Sequence, residues 1–230
     1  MFGNSKPVVS NQPGVHQDLP RTVQRHLTRA WQAPVAEHTR AAFAEAAAWR
    51  AEQGAGPDVP LILDSGCGTA RSSRWLAARH PGALVIALDQ SAHRLARGRE
   101  AGPLPQNLLL LRAECADFWR LAEDAGWRLA AHYLLYPNPW PKAAHLKRRW
   151  HGHPVFPSLL NLGGVLEVRS NWPIYLQEMQ AALAQASISA TLDELSVGAE
   201  EAVTDFELKY QGSGHQLWRL RAQLDDLSSE

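Results

Sequence analysis

Three short runs concentrate the residues able to do chemistry. The first, Pro137-Asn138-Pro139-Trp140-Pro141-Lys142, is followed by His145 and by Lys147-Arg148-Arg149, so one stretch carries an amide, an indole and a cationic cluster. Its prolines fix φ and remove backbone donors, which excludes helix interior and central strand and predicts a rigid loop. A rigid loop ending in cations suits a polyanionic ligand. The second run, Asp64-Ser65-Gly66-Cys67-Gly68-Thr69-Ala70, follows Leu61-Ile62-Leu63 and opens a helical segment, the point at which an α/β sheet receives a nucleotide-like ligand. The third is Thr204-Asp205-Phe206-Glu207-Leu208-Lys209, with Gly214-His215 after it.

The elements that must position these runs alternate. Leu61–Leu63, Leu84–Leu88, Leu108–Leu111 and a stretch near Leu129–Tyr136 read as strands, separated by helices near Ala70–Arg79, after Ser91 and near Asp117–Asp124. Repeated β-α-β units require right-handed crossovers and a mostly parallel sheet covered on both faces. Val165–Val168 reads as a further strand, Pro173–Ala184 as a helix opened by proline, and two β segments finish the chain. Residues 1–20 predict an irregular or mobile arm, and Arg21–Arg50 two helices separated at Pro34. Gly54, Gly56, Pro57 and Pro60 mark a linker, dividing residues 1–56 (arm and helices) from the main domain, 57–230.

At the strand ends the acids are informative. In the second run the acid precedes the glycines, unlike a three-glycine fingerprint that seats a pyrophosphate. Asp64 suits a ligand carrying an ammonium group and a sulfonium, namely S-adenosylmethionine; Asp89, after the second strand, is placed for both ribose hydroxyls; Glu114, after the third, for the adenine amino group. Gly66 and Gly68 permit close backbone approach, although two glycines alone would equally make a tight βα turn. Acids after three successive strands favour the ligand site. Cys67 and Cys115 read as reduced thiols lining the pocket, since methyl transfer from a sulfonium to nitrogen needs no covalent intermediate.

This combination resembles the class I S-adenosylmethionine-dependent methyltransferases, which implies a Rossmann-like α/β fold with a seven-stranded, mostly parallel sheet and an antiparallel last strand. The first and third runs, in order and spacing, resemble the bacterial tRNA (guanine-N7-)-methyltransferases over about Leu61–Leu220. The resemblance implies S-adenosyl-L-methionine as cofactor and tRNA as partner, with Asn138 and Glu207 orienting the base. Cofactor contacts would come from Asp64, Gly66, Gly68, Asp89, Glu114 and Cys115. Trp140 would stack on the base, and Lys142, Lys147, Arg148 and Arg149 would hold phosphates, with Asn171 and Thr204 on the substrate side. The chain also departs from the family. Asn138 stands where Asp is usual, Ser170-Asn171 where Thr-Asp is usual, Ala143 and Ala144 where bases are usual, and Pro154 and Pro157 interrupt the helix expected before Gly163.

Composition narrows the alternatives. The 230 residues balance 23 Lys and Arg against 23 Asp and Glu, which counts against a general nucleic-acid coat but permits a local basic patch from Lys142 to Arg149. No apolar stretch approaches the length of a membrane span, Met1–Ser10 lacks the apolar core of a secretory signal, and the two cysteines give no metal signature, so a cytoplasmic protein without a metal is expected. Competing readings are a methyltransferase of a small purine-like or other heterocyclic metabolite, and a non-enzymatic RNA-binding protein on the same fold. A nicotinamide oxidoreductase ranks last, because the three-glycine spacing is absent.

Overall fold

The computed structural model describes residues 4–54, 56, 58–196, 198 and 201–224. Pro57 at the linker lies outside the described residues. Seven strands form one sheet: β1 (Leu61–Ser65), β2 (Leu84–Asp89), β3 (Leu108–Arg112), β4 (Ala131–Leu135), β5 (Gly164–Ser170), β6 (Ala190–Glu194) and β7 (Trp218–Leu224), in the order β3-β2-β1-β4-β5-β7-β6. Among the described strands β7 is the reversed one, pairing antiparallel with both β5 and β6. Every residue of β1 and β2 is buried, as continuous apolar runs covered on both faces must be.

Strand order reverses at β1, whose neighbours are β2 on one side and β4 on the other. The loops leaving β1 and β4 therefore diverge and open a crevice at the carboxyl ends of the strands. Register brings the site residues to that end, with Ser65 beside Leu88 and Asp89 beside Arg112.

Helices α1 (Leu19–Leu27) and α2 (Glu37–Glu52) flank Pro34 as expected, and α3 (Arg71–Arg79), α4 (Ala92–Glu100) and α5 (Cys115–Asp124) make the crossovers. A short α6 (Phe156–Asn161) has proline in its first turn, so Pro157 shortens this helix without abolishing it. α7 (Pro173–Gln185) and α8 (Asp205–Gln211) complete the set. One apolar cluster joins Leu19, Val23 and Ala42 of the first two helices to Leu63, Ile86 and Leu166 of the sheet, so those helices share the core of the main domain. The arm ahead of α1 is irregular, yet tied down: the Ser10 hydroxyl donates to Pro141 O at 2.7 Å and Asn11 Oδ1 accepts from Ala143 N at 3.0 Å.

Candidate active site

A cavity of about 420 Å³ opens at the crevice, lined among others by Gly66, Asp89, Glu114, Cys115, Asn138 and Trp140. This volume is in the range of small-molecule sites. The turn after β1 is built for close approach: Gly66 holds φ +82°, and the Gly66 and Cys67 amides both donate to Leu88 O, at 2.8 and 2.9 Å. Asp89, only 2% exposed, ties two turns together, its Oδ2 accepting from Gly68 N at 2.9 Å and its Oδ1 from Ser91 N at 2.7 Å. Oδ1 also lies 3.3 Å from Arg94 Nη2, while Oδ2 retains a lone pair for a hydroxyl in the cavity. Glu114 sits at the start of α5 without capping it through its side chain, so its exposed carboxylate is available to a ligand.

Asp64 does not line either cavity at this crevice. Its carboxylate is 1% exposed, and Oδ2 accepts from the Ser72 and Ser73 hydroxyls at 2.7 and 2.6 Å. Burial pushes its carboxyl above the ordinary range. The expected contact with a ligand ammonium is thus replaced by a tether between the end of β1 and the first turn of α3. Cys115 lines the cavity with its thiol pushed up to about 12, chiefly by burial, and burial likewise raises Cys67. Both thiols are neutral, consistent with lining roles.

Asn138 is exposed at the tip of the loop after β4 and faces the cavity. Two non-glycine residues flank it in left-handed conformations, Tyr136 at φ +55° and Trp140 at φ +45°. Such backbone costs about 1–3 kcal/mol per residue and persists where surrounding contacts over-determine it. Here Tyr136 N donates to Arg169 O at 2.9 Å, and Trp140 O accepts from Arg149 Nε and Nη2 at 3.2 and 3.0 Å. The Arg148 guanidinium lies 4.6 Å from the centre of the Trp140 ring, and Lys142 and Lys147 are exposed nearby.

Arg149 is a correction to the basic patch. It has no exposed surface, is ion-paired with Glu178, and also donates to Lys142 O at 3.1 Å. Its guanidinium supports the loop from behind and is inaccessible to phosphate.

Glu207 is a second correction. Thr204 Oγ1 accepts from Glu207 N at 3.0 Å while Glu207 Oε2 accepts from Val203 N at 2.7 Å, a reciprocal cap at the start of α8. Glu207 Oε1 accepts from Arg169 Nη1 at 2.7 Å and from the Tyr136 hydroxyl at 3.1 Å, and the residue is fully buried. Its carboxylate is therefore consumed inside the protein. The Thr-x-x-Glu spacing was itself the signal of that cap.

Asn171 does line the cavity, and its Nδ2 lies 3.1 Å from His215 Nδ1. Five aromatic residues that sequence reasoning passed over join it: Tyr136, Trp150, Tyr175, Phe206 and Tyr210. Phe206 and Tyr210 are four residues apart on α8, the spacing of one helix face, and their rings stack with centroids 5.9 Å apart and 24° between planes. A smaller cavity of about 190 Å³ continues from the first past Gly68, Arg71, Arg97 and Thr204. Among the described residues no group of His, Cys, Asp or Glu could hold a metal ion, and no helix is long and apolar enough to cross a membrane.

Solved structures share this architecture. The 16S rRNA methyltransferase KamB superposes with a TM-score of 0.58 at 17% identity, covering 84% of this chain and 95% of that one. A mutant 16S rRNA (adenine(1408)-N(1))-methyltransferase from Catenulisporales acidiphilia, crystallised with its cosubstrate SAM, gives 0.57 at 19% identity, covering 80% and 93%. The fold is that of the Rossmann-like class I methyltransferases. Residues 58–220 match the family described as "Putative methyltransferase". The tRNA (guanine-N(7)-)-methyltransferase of Sodalis glossinidius (strain morsitans) is 32% identical over 180 residues, 72% of each chain, and that of Treponema pallidum (strain Nichols) is 30% identical over 173 residues, 71% of this chain and 68% of the relative. The chain belongs to the tRNA (guanine-N7-)-methyltransferase family as a divergent member.

Proposed function

We propose that this protein transfers a methyl group from S-adenosylmethionine to N7 of a guanine in tRNA, as a cytoplasmic enzyme. One observation carries the reading: a single cavity brings Asp89 and Glu114, from the ends of β2 and β3, to the same space as Asn138 and Trp140 from the proline loop. S-adenosylmethionine supplies an electrophilic methyl on its sulfonium. Asp89 accepts hydrogen bonds from the ribose hydroxyls and Glu114 from the adenine amino group, while Gly66 presents no side chain to the ligand.

Guanine N7 carries an in-plane lone pair and needs no deprotonation, so catalysis rests on placing that lone pair in line with the methyl. Trp140 stacks on the base, Asn138 and Asn171 bond its edges, and Lys142, Lys147 and Arg148 hold backbone phosphates. Labelled methyl transfer to total tRNA, followed by borohydride and aniline, tests the reading. Strand scission at the labelled nucleotide is expected; label without scission overturns N7 as the acceptor.

A small purine-like or other heterocyclic acceptor is favoured by one feature, the burial of Glu207. Its carboxylate would be the natural two-oxygen acceptor for the N1–H and N2–H donors of guanine, yet its oxygens are bonded to Arg169, Tyr136 and Val203. A panel of free purines in the same assay separates the two acceptors.

A further inference from the structure

Beyond the bonds of Ser10 and Asn11 to the loop itself, the N-terminal arm makes two further long-range connections, each ending on a residue that holds or lines the acceptor side of the cavity. In the first, Gln12, 7% exposed, donates from Nε2 to Glu178 Oε1 and accepts at Oε1 from Arg149 Nη2 at 3.1 Å. His16 N adds a bond to the same Glu178 oxygen at 3.0 Å. Arg149 in turn holds the carbonyls of Trp140 and Lys142, and His151 Nε2 lies 2.8 Å from the remaining Glu178 oxygen. Four buried polar side chains thus form one unit whose output is two loop carbonyls. Trp140 sits at positive φ, so the loop relaxes toward ordinary backbone once those bonds are loosened.

In the second connection His215 Nε2 donates to Ser5 O at 3.0 Å, and Ser5 N donates to Ser213 Oγ at 3.0 Å. A neutral imidazole that donates from Nε2 must accept at Nδ1. The Asn171 Nδ2 group, 3.1 Å away, is then the donor to it, which leaves the Asn171 Oδ1 for a ligand in the cavity. The His215 ring is fixed by stacking on Tyr210, with planes 12° apart.

We propose that Ser5–His16 is a positioning element of the acceptor site, setting the proline loop through Gln12 and Arg149 and the Asn171 amide through Ser5 and His215. This segment precedes residues 58–220, the part of the chain matched by the family, so the acceptor geometry is completed by sequence outside it. The role in transfer rests on the methyltransferase reading above.

Two near-isosteric variants of the full chain test it. Gln12→Met keeps the buried volume and removes the three side-chain hydrogen bonds, to Gly14 O, Glu178 and Arg149; His215→Phe keeps the stack on Tyr210 and removes both nitrogens. Each is expected to lower the turnover number for methyl transfer about tenfold or more, the scale of a sub-ångström misplacement, while the dissociation constant for S-adenosylmethionine stays that of the parent. Unchanged turnover, or turnover and cofactor affinity lost together, overturns the proposal. Amide exchange across 138–146 gives a readout independent of activity: Gln12→Met is expected to accelerate it without affecting β1 or β4, and equal rates overturn the positioning role. If the parent protein methylates no tRNA, the functional reading fails, and the exchange comparison still decides the structural one.

Discussion

Arg169 Nη1 donates to Glu207 Oε1 at 2.7 Å, locking the end of β5 to the start of α8. The bond belongs to a chain of charges: Arg221 Nε donates to Glu167 Oε2 at 2.6 Å, Arg169 Nε to Glu167 Oε1 at 2.7 Å, and the Tyr136 hydroxyl to Glu207 Oε1 at 3.1 Å. It ends at the residue that begins the acceptor loop, so the charge that resembled a base reader instead holds the wall of the site.

Glu207→Gln removes one charge from a buried pair. Arg169 keeps Glu167 as a counter-ion, so the loss is that of a charge-assisted hydrogen bond, about 1–3 kcal/mol. Urea unfolding should show a lower midpoint with an unchanged slope. A variant as stable as the parent would mean that Arg169 is satisfied without Glu207.

Asp89→Ala removes the acceptor for Gly68 N and Ser91 N as well as the proposed ribose contacts. Leaving buried donors unpaired costs about 1–3 kcal/mol, so the dissociation constant for S-adenosylmethionine should rise by roughly tenfold or more. Calorimetry returning the parental constant would remove Asp89 from the cofactor site.

The cations of the loop separate by burial. Replacing Lys147 and Arg148 with alanine should reduce the slope of log K against log salt for RNA binding by up to about 2 while leaving thermal stability unchanged. Arg149→Ala should instead lower the melting temperature, because Glu178 is left as a buried unpaired charge. Identical behaviour of the two variants would contradict the division.

His132 is fully buried, with Nε2 2.9 Å from Ser65 Oγ, and burial lowers its pKa to about 3. The Trp119 indole donates to the same Ser65 oxygen, so the buried imidazole is held in a closed hydrogen-bonded group. The unfolded chain takes up a proton near pH 6.5 and the folded protein does not. Stability from this group is complete above pH 6.5 and is lost as pH falls toward 3, by about 1.4 kcal/mol per pH unit. His132→Gln, which cannot titrate, should flatten the dependence of unfolding free energy on pH by that slope between pH 6 and 4. Parallel curves would show that His132 titrates alike in both states.

The strand-and-helix alternation was legible because buried parallel strands must be apolar throughout, and Leu84–Leu88 and Leu108–Leu111 are. Pro34 and the prolines of 137–141 marked breaks for a local reason, the missing donor and restricted φ. The carboxylates were legible only as to place. Asp64, Asp89 and Glu207 all stand at element ends, yet Asp89 lines the cavity while Asp64 faces two serines and Glu207 an arginine.

Local spacing determined the fold class, the glycine turn, the acceptor loop and, in Thr204-x-x-Glu207, a helix cap, since each depends on neighbours within a few residues. Tertiary structure decided which charges meet a ligand. Arg149 and Lys147 are two residues apart and alike in charge, but Arg149 meets Glu178 and Gln12 from distant parts of the chain while Lys147 remains in solvent. A buried charge persists only where partners arrive to offset its lost hydration, and those partners are brought by the fold.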